Sequence, residues 1–206
     1  ENEIKAIYSP EESFYLLVLP TSEIVYVFDT RIPLDSGAYR VTTWSSITPL
    51  SFARLSTNKL YIGKTLGIAE HTGYLDNDAS YQLRYFSNPL AFDSSANVKF
   101  LKKFKLTIIG GSRTQMALNW GYDYSESYTK QALLLSGTAG DAEVAEYGVS
   151  EYNTVGEYTA SLFVNTPSVN GTGSGSVVSV GLEAQIKGVS FSIQKIDIQV
   201  LLGRLI

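Results

Sequence analysis

The chain has 206 residues, 44% of them hydrophobic and only 17% charged, with a formal net charge of −4. That length can bury a real core in one large all-β domain or two smaller ones. The lack of cysteine excludes disulfides and thiolate metal sites, and the acidic balance argues against nucleic-acid binding, which needs a basic electrostatic footprint.

A charge content below the roughly 25% of an average soluble domain points to surface hidden in partner subunits. Fourteen tyrosines add to this, because Tyr favours strands and suits half-wet interfaces with its apolar body and polar tip. No apolar run reaches the roughly 18 residues of a membrane-spanning helix. The first residues, Glu1-Asn2-Glu3-Ile4-Lys5, do not form a signal peptide, and the only methionine is Met116. The chain is therefore expected to be a processed product or the C-terminal part of a longer one.

Short period-2 runs bounded by turn residues predict strands almost throughout. Residues 14–19 (Phe-Tyr-Leu-Leu-Val-Leu) and 24–28 (Ile-Val-Tyr-Val-Phe) predict a hairpin, and 38–44 a third strand after the loop with Pro33 and Gly37. The pattern restarts at 50–55, 60–63 and 66–70. Repeated meanders of this size resemble propeller blades, although too few are present to close a propeller. The acidic turn Asp76-Asn77-Asp78 marks the expected boundary between a propeller-like meander domain, 1–79, and a β-sandwich domain, 80–206.

In the second part, strands are expected at 81–86, 99–109, 115–122 and 131–135, with 99–109 and 115–122 paired as a hairpin across Gly110-Gly111. The basic stretch 99–105 reads as a strand with one solvated face. Strands at 176–186 and 191–201 follow, and a β-bulge near Lys195-Ile196 is needed, because Phe191, Ile193, Ile198 and Val200 cannot otherwise share a face. Gly171-Thr172-Gly173-Ser174-Gly175-Ser176 lacks the lysine and spacing of a phosphate loop and reads as a flexible hairpin tip. The fold class expected is all-β: an antiparallel meander with partial propeller-like blades, followed by a β-sandwich.

Candidates for chemistry are few. A Ser-His-Asp triad would have to use His71, the only histidine, and no Gly-x-Ser-x-Gly elbow accompanies it. Asp76-Asn77-Asp78 lacks the glycine and the distal glutamate of a calcium loop, with Tyr81 and Ser87 in those places. A glycosidase would need two facing carboxylates, which sequence cannot pair. No catalytic, cofactor-binding or metal-ligating residue is assigned, no cofactor is expected, and the chain is not expected to be an enzyme. The expected interface lies in segment 138–160, where Tyr147, Tyr152 and Tyr158 stand among few large aliphatics.

Several stretches together resemble the C-terminal region of the tail hub or nozzle proteins of short-tailed bacteriophages, including tail tube and DNA-stabilisation proteins. They are Val27-Phe28-Asp29-Thr30-Arg31, Gly37-Ala38-Tyr39-Arg40-Val41-Thr42-Thr43-Trp44, Leu60-Tyr61-Ile62-Gly63 with Gly67-Ile68, and Tyr74-Leu75-Asp76-Asn77. The 99–105 strand, Trp120-Gly121-Tyr122-Asp123, Ser192-Ile193-Gln194-Lys195-Ile196 and Gly203-Arg204 complete the set. The resemblance implies a structural virion protein in the phage tail, forming a homo-oligomeric, typically hexameric, ring that lines the DNA exit channel. Its implied partners are copies of itself and neighbouring tail or portal-adaptor proteins, with DNA only as transiting cargo and no membrane span. It transfers no catalytic residues. The family's chains are longer, so an upstream region is expected. The competing expectation is a carbohydrate- or receptor-binding β-sandwich module of a tail or secreted protein, with Trp44, Trp120, Tyr122 and Tyr124 as its platform.

Overall fold

The computed structural model describes residues 4–19, 24–45, 47, 49–55, 58–92, 94–136 and 164–205. The described residues are all-β, in several antiparallel sheets and without helix. The chain divides into two compact units, Glu1–Thr72 and Gly73–Ile206.

In the first unit β1 (Lys5–Ser9), β2 (Phe14–Leu19), β3 (Ile24–Asp29) and β4 (Arg40–Ser45) form an antiparallel meander in sequence order. Alternation decides one face: Phe14, Leu16 and Val18 of β2 and Val25 and Val27 of β3 point to the same side and are buried, with Leu60 among them. Ser13 closes the sheet's end, its carbonyl accepting from both the backbone N–H and the hydroxyl of Thr30 at 2.9 and 2.8 Å. A smaller meander follows from β5 (Ser51–Arg54), β6 (Leu60–Lys64) and β7 (Gly67–Glu70).

The second unit opens on a tight turn. Asn77 and Asp78 both have positive φ, and Asp76 and Ala79 exchange backbone hydrogen bonds of 2.8 and 2.9 Å. This is the geometry of a type I′ turn, which Asn and Asp tolerate best after glycine. The acidic cluster, which lacks the ligand set of a calcium loop, thus has a local structural use.

Beyond the turn come β8 (Tyr81–Phe86), β9 (Asn97–Gly110), β10 (Gln115–Tyr122) and β11 (Thr129–Leu134). The short β12 (Val164–Asn165), β13 (Ser168–Asn170) and β14 (Ser174–Gly175) precede the long β15 (Val178–Ile186) and β16 (Phe191–Leu205). One sheet has the order β11-β10-β15-β8. In the other, β9 pairs with β16 along most of its length and with β12, β13 and β14 on its opposite edge. Leu101, Phe104, Leu106 and Ile108 of β9 share one buried cluster with Met116, Leu118 and Trp120 of β10 and Val178, Val180 and Leu182 of β15.

The expected hairpin of 99–109 with 115–122 is therefore corrected: β9 and β10 belong to different sheets and face each other across the core, with the Phe104 and Trp120 rings 5.3 Å apart. The physical reason lies at the corner. Gly110 and Gly111 have φ of 76° and 70°, a left-handed conformation that lets the chain arch over instead of doubling back. The Gly111 N–H is then taken by the Ser190 carbonyl at 2.7 Å, which ties the arch to the chain entering β16.

The bulge in the last strand is present: the β16–β9 register shifts between Ile193 and Lys195. Ile193 before it and Ile196, Ile198 and Val200 after it all pack on the same cluster, although their parity differs. One unpaired residue achieves that.

Two further expectations are corrected. Gly171 to Ser176 is not a hairpin tip: β13 just before it and β14 within it both pair with β9, and the Tyr122 ring lies against Gly173 and Gly175. Small residues there admit a ring that a Cβ would displace. Lys99 does not share the solvated face of Lys102, Lys103 and Lys105, being wholly buried. Its ammonium donates to the carbonyls of Ser94 and Ser176, the latter at 2.7 Å, which satisfies part of the hydrogen bonding it loses in leaving water.

Candidate interaction surfaces

The expected interface tyrosines, Tyr147, Tyr152 and Tyr158, lie outside the described residues, as does all of 138–160. The surfaces that can be built from the described residues lie elsewhere.

The most apolar is the second face of the β1–β4 sheet. Cross-strand pairing places Tyr8, Tyr15, Phe28 and Val41 in one row, one from each strand. Leu17 and Tyr26 form the next row and Leu19 and Ile24 the one beyond. Tyr8, Tyr15 and Val41 are 47%, 38% and 48% exposed. An antiparallel sheet with one side in water ordinarily alternates apolar and polar residues; this one is apolar on both sides. The signal was present in the sequence, since Phe14-Tyr15-Leu16-Leu17-Val18-Leu19 is a continuous apolar run rather than an alternating one. In the same unit, Leu66 in the β6–β7 turn is fully exposed and Ile68 of β7 largely so.

His71 closes an aromatic cluster rather than a catalytic one. Its ring stacks on Trp44 at 5.4 Å and 10°, and meets Phe14 edge-on at 5.6 Å. The backbone N–H of His71 donates to the Leu60 carbonyl at 2.8 Å, which holds it beside β6. The Lys59–Glu70 pair on this unit is a 2.6 Å surface contact with Tyr61 donating to the same carboxylate at 3.1 Å. The lysine beside Glu70 holds that carboxyl below its ordinary value.

Two of the four aromatics expected as the platform of a sugar-binding module are covered within their own units. Trp120 is 2% exposed in the core of the second unit, whereas Trp44 belongs to the first unit and is covered by His71. The Trp120 indole N–H and the Tyr122 hydroxyl both donate to the Thr172 carbonyl, at 3.0 and 2.6 Å. Burial pushes the Tyr122 phenol up to about 12. Tyr124 alone of the four is prominent, at 75% exposed.

The outer face of the β11-β10-β15-β8 sheet mixes charged and amide side chains with the exposed Leu134. Glu183 of β15 accepts from Lys130 of β11 at 2.5 Å and from Asn119 of β10, and the lysine, the larger influence, holds its carboxyl below the usual range. Phe86 lies over Gly181, where a Cβ would come within 2.3 Å of the ring, and meets Tyr128 at 5.3 Å. This face was not legible beforehand, because its residues come from four strands far apart in the chain.

Among the described residues no group of three His, Asp or Glu side chains is placed to hold a metal, and no helix is long and apolar enough to cross a membrane. The chain matches no protein-family model and no curated protein at a significant level.

Proposed function

We propose that the chain is a structural protein of a phage tail, a hub or nozzle component that packs side to side with copies of itself into a ring around the DNA exit channel. In this reading the two meanders of the first unit are partial propeller-like blades, the second unit is a β-sandwich, and the protein resides in the virion. Its neighbours are further copies, six to the ring, and adjoining tail or portal-adaptor proteins, with DNA passing through as cargo. It works by binding protein surfaces and performs no chemistry.

The observation that carries the reading is the second apolar face of the β1–β4 sheet, with the row Tyr8, Tyr15, Phe28 and Val41. Contiguous exposed apolar surface on a folded domain marks a contact with another macromolecule. Tyrosine suits such a contact because its ring is buried while its hydroxyl finds a partner at the rim. The low charge content of the whole chain agrees with this.

The test is the mass of the particle formed by the protein, followed across concentration by native mass spectrometry, with Tyr15→Lys/Val41→Lys beside the parent. A ring of defined stoichiometry is expected, and the double variant should need at least about tenfold more protein to form it, the equivalent of about 1.4 kcal/mol of lost contact. Two charges on an exposed face leave the monomer's fold in place. A parent that stays monomeric at high concentration, or a double variant that assembles like the parent, refutes the proposal.

A further inference from the structure

The outer face of the second unit contains a shallow, open trough of about 610 Å³ running across β8, β15, β10 and β11. We propose that this trough binds a neutral carbohydrate chain. The idea is independent of the assembly reading, which rests on the first unit.

The floor is made by Ala117 and Ala132, which are cross-strand partners. Small side chains there let a flat ligand lie close to the sheet. Along one side stand three amides, Gln82 of β8, Gln185 of β15 and Gln115 of β10, the first two directly paired across the strands.

Their hydrogen bonds already orient them. The Gln82 carbonyl oxygen accepts from the Arg84 guanidinium at 2.7 Å, which turns its NH2 into the group offered to a ligand. The Gln185 NH2 donates to the Ser80 hydroxyl at 2.7 Å, which leaves its carbonyl oxygen to accept. A donor thus stands beside an acceptor on two directly paired cross-strand neighbours. Sugar hydroxyls, each both donor and acceptor, satisfy such a pair, and neighbouring hydroxyls on one ring can span it.

Charge narrows the class. Lys130 and Glu183 line the trough and neutralise each other at 2.5 Å, whereas Arg84, which keeps its charge while donating to Gln82, is not one of the lining residues. The lining itself therefore carries no net charge to attract a phosphate, a sulfate or a uronic acid. An extended peptide would need pockets for alternate side chains or a free strand edge, whereas this floor is shallow and lies on a sheet face. Within the trough the exposed Leu134 side chain offers apolar surface on which the carbon face of a sugar ring can rest.

The experiment is native affinity electrophoresis through gels containing soluble neutral polysaccharides, namely a glucan, a mannan, a galactan and a xylan, with an anionic alginate in a separate gel. At least one neutral polymer should retard the protein. Gln82→Ala/Gln185→Ala should weaken that retardation about tenfold, through the loss of two hydrogen bonds partly compensated by water. Gln115→Ala should weaken it less, and Lys103→Ala, on the other sheet, should leave it unchanged. All four positions are exposed, and an unaltered Trp120 emission verifies the fold. Retardation by alginate alone, by none of the neutral polymers, or equally in the double variant and the parent overturns the proposal.

Discussion

The two units place apolar side chains in opposite ways. In the second, fourteen buried residues among those described form one cluster, and the outer face of the β11-β10-β15-β8 sheet mixes Gln82, Gln115, Gln185, Glu183 and Lys130 with two alanines and a single prominent leucine, Leu134. In the first, the buried cluster has six residues, while Tyr8, Tyr15, Leu17, Tyr26, Phe28 and Val41 lie on the opposite side of the same sheet. Both units are all-β and built from antiparallel strands of similar composition, so strand propensity does not distinguish them. What differs is how much of the apolar surface finds a partner within the unit. A core closed by two sheets stabilises itself, whereas a sheet apolar on both sides gains further stability when something else covers it.

The sharpest way to break this comparison is to remove a fully buried leucine from each cluster. Leu118 in the second unit and Leu16 in the first are both wholly inaccessible. Leu118→Ala is expected to cost about 4 kcal/mol, towards the upper end for such truncations, because β-strands on both sides hold the cavity open. Leu16→Ala should cost about 2 kcal/mol, since a thin layer collapses into the space more easily. Urea unfolding read from Trp120 and Trp44, the two tryptophans and one in each unit, measures both. Equal losses would mean that the first unit's core is as well supported as the second's.

The same contrast explains what the sequence made legible. Strand positions and facing follow from local alternation, so the order and pairing of 14–19, 24–28 and 38–44 could be read directly, as could the need for a bulge before Ile196. Partner choice could not. A strand with the pattern of 99–109 fits a hairpin or an arch equally well, and the choice rests on Gly110 and Gly111 adopting positive φ. Lys99 looked like its neighbours Lys102 and Lys103 because burial of a lysine depends on carbonyls brought from residues 94 and 176. The trough is less legible still: Gln82, Gln115 and Gln185 meet only once β8, β15 and β10 lie side by side.

A smaller effect separates the units by how their polar groups are held. Tyr122 sits partly buried, its hydroxyl donating to the Thr172 carbonyl at 2.6 Å, and burial raises it to about 12 from an ordinary 10.0. A phenol raised in the folded state favours folding while protonated. Its contribution is complete below pH ~10, the unfolded value, and is lost as pH rises through about 12. Tyr122→Phe should lower stability at neutral pH by about 1 kcal/mol for the lost hydrogen bond and flatten the decline above pH ~10. Absorbance of the parent at alkaline pH should show a late-ionising component that Tyr122→Phe removes. If the variant keeps the same alkaline slope, Tyr122 is not the group that links pH to the second unit.

The smallest expected effect lies at the end of β3, where the first unit's counterpart is a surface pair. The Arg31 guanidinium donates to both oxygens of Asp29, at 3.0 and 2.7 Å, and the Arg31 backbone N–H donates to one of them at 3.0 Å. The side-chain bonds are the larger cause, and together they hold the Asp29 carboxyl at about 2 instead of 3.8. A carboxyl lowered in the folded state stabilises it above the unfolded value. The contribution is therefore present above pH ~4 and lost as pH falls from there through about 2. Solvent screens the pair, because the arginine side chain is 67% exposed, so its worth is below about 1 kcal/mol. Glu183 in the second unit also has a lowered carboxyl, so a global acid titration would mix the two. Trp120→Phe leaves Trp44 as the sole fluorescent reporter of the first unit. In that background Asp29→Asn should shallow the loss of stability between pH ~4 and ~2 and shift the neutral-pH midpoint hardly at all. An acid limb unchanged by the substitution would show that the bidentate contact between Asp29 and Arg31 does not persist in solution.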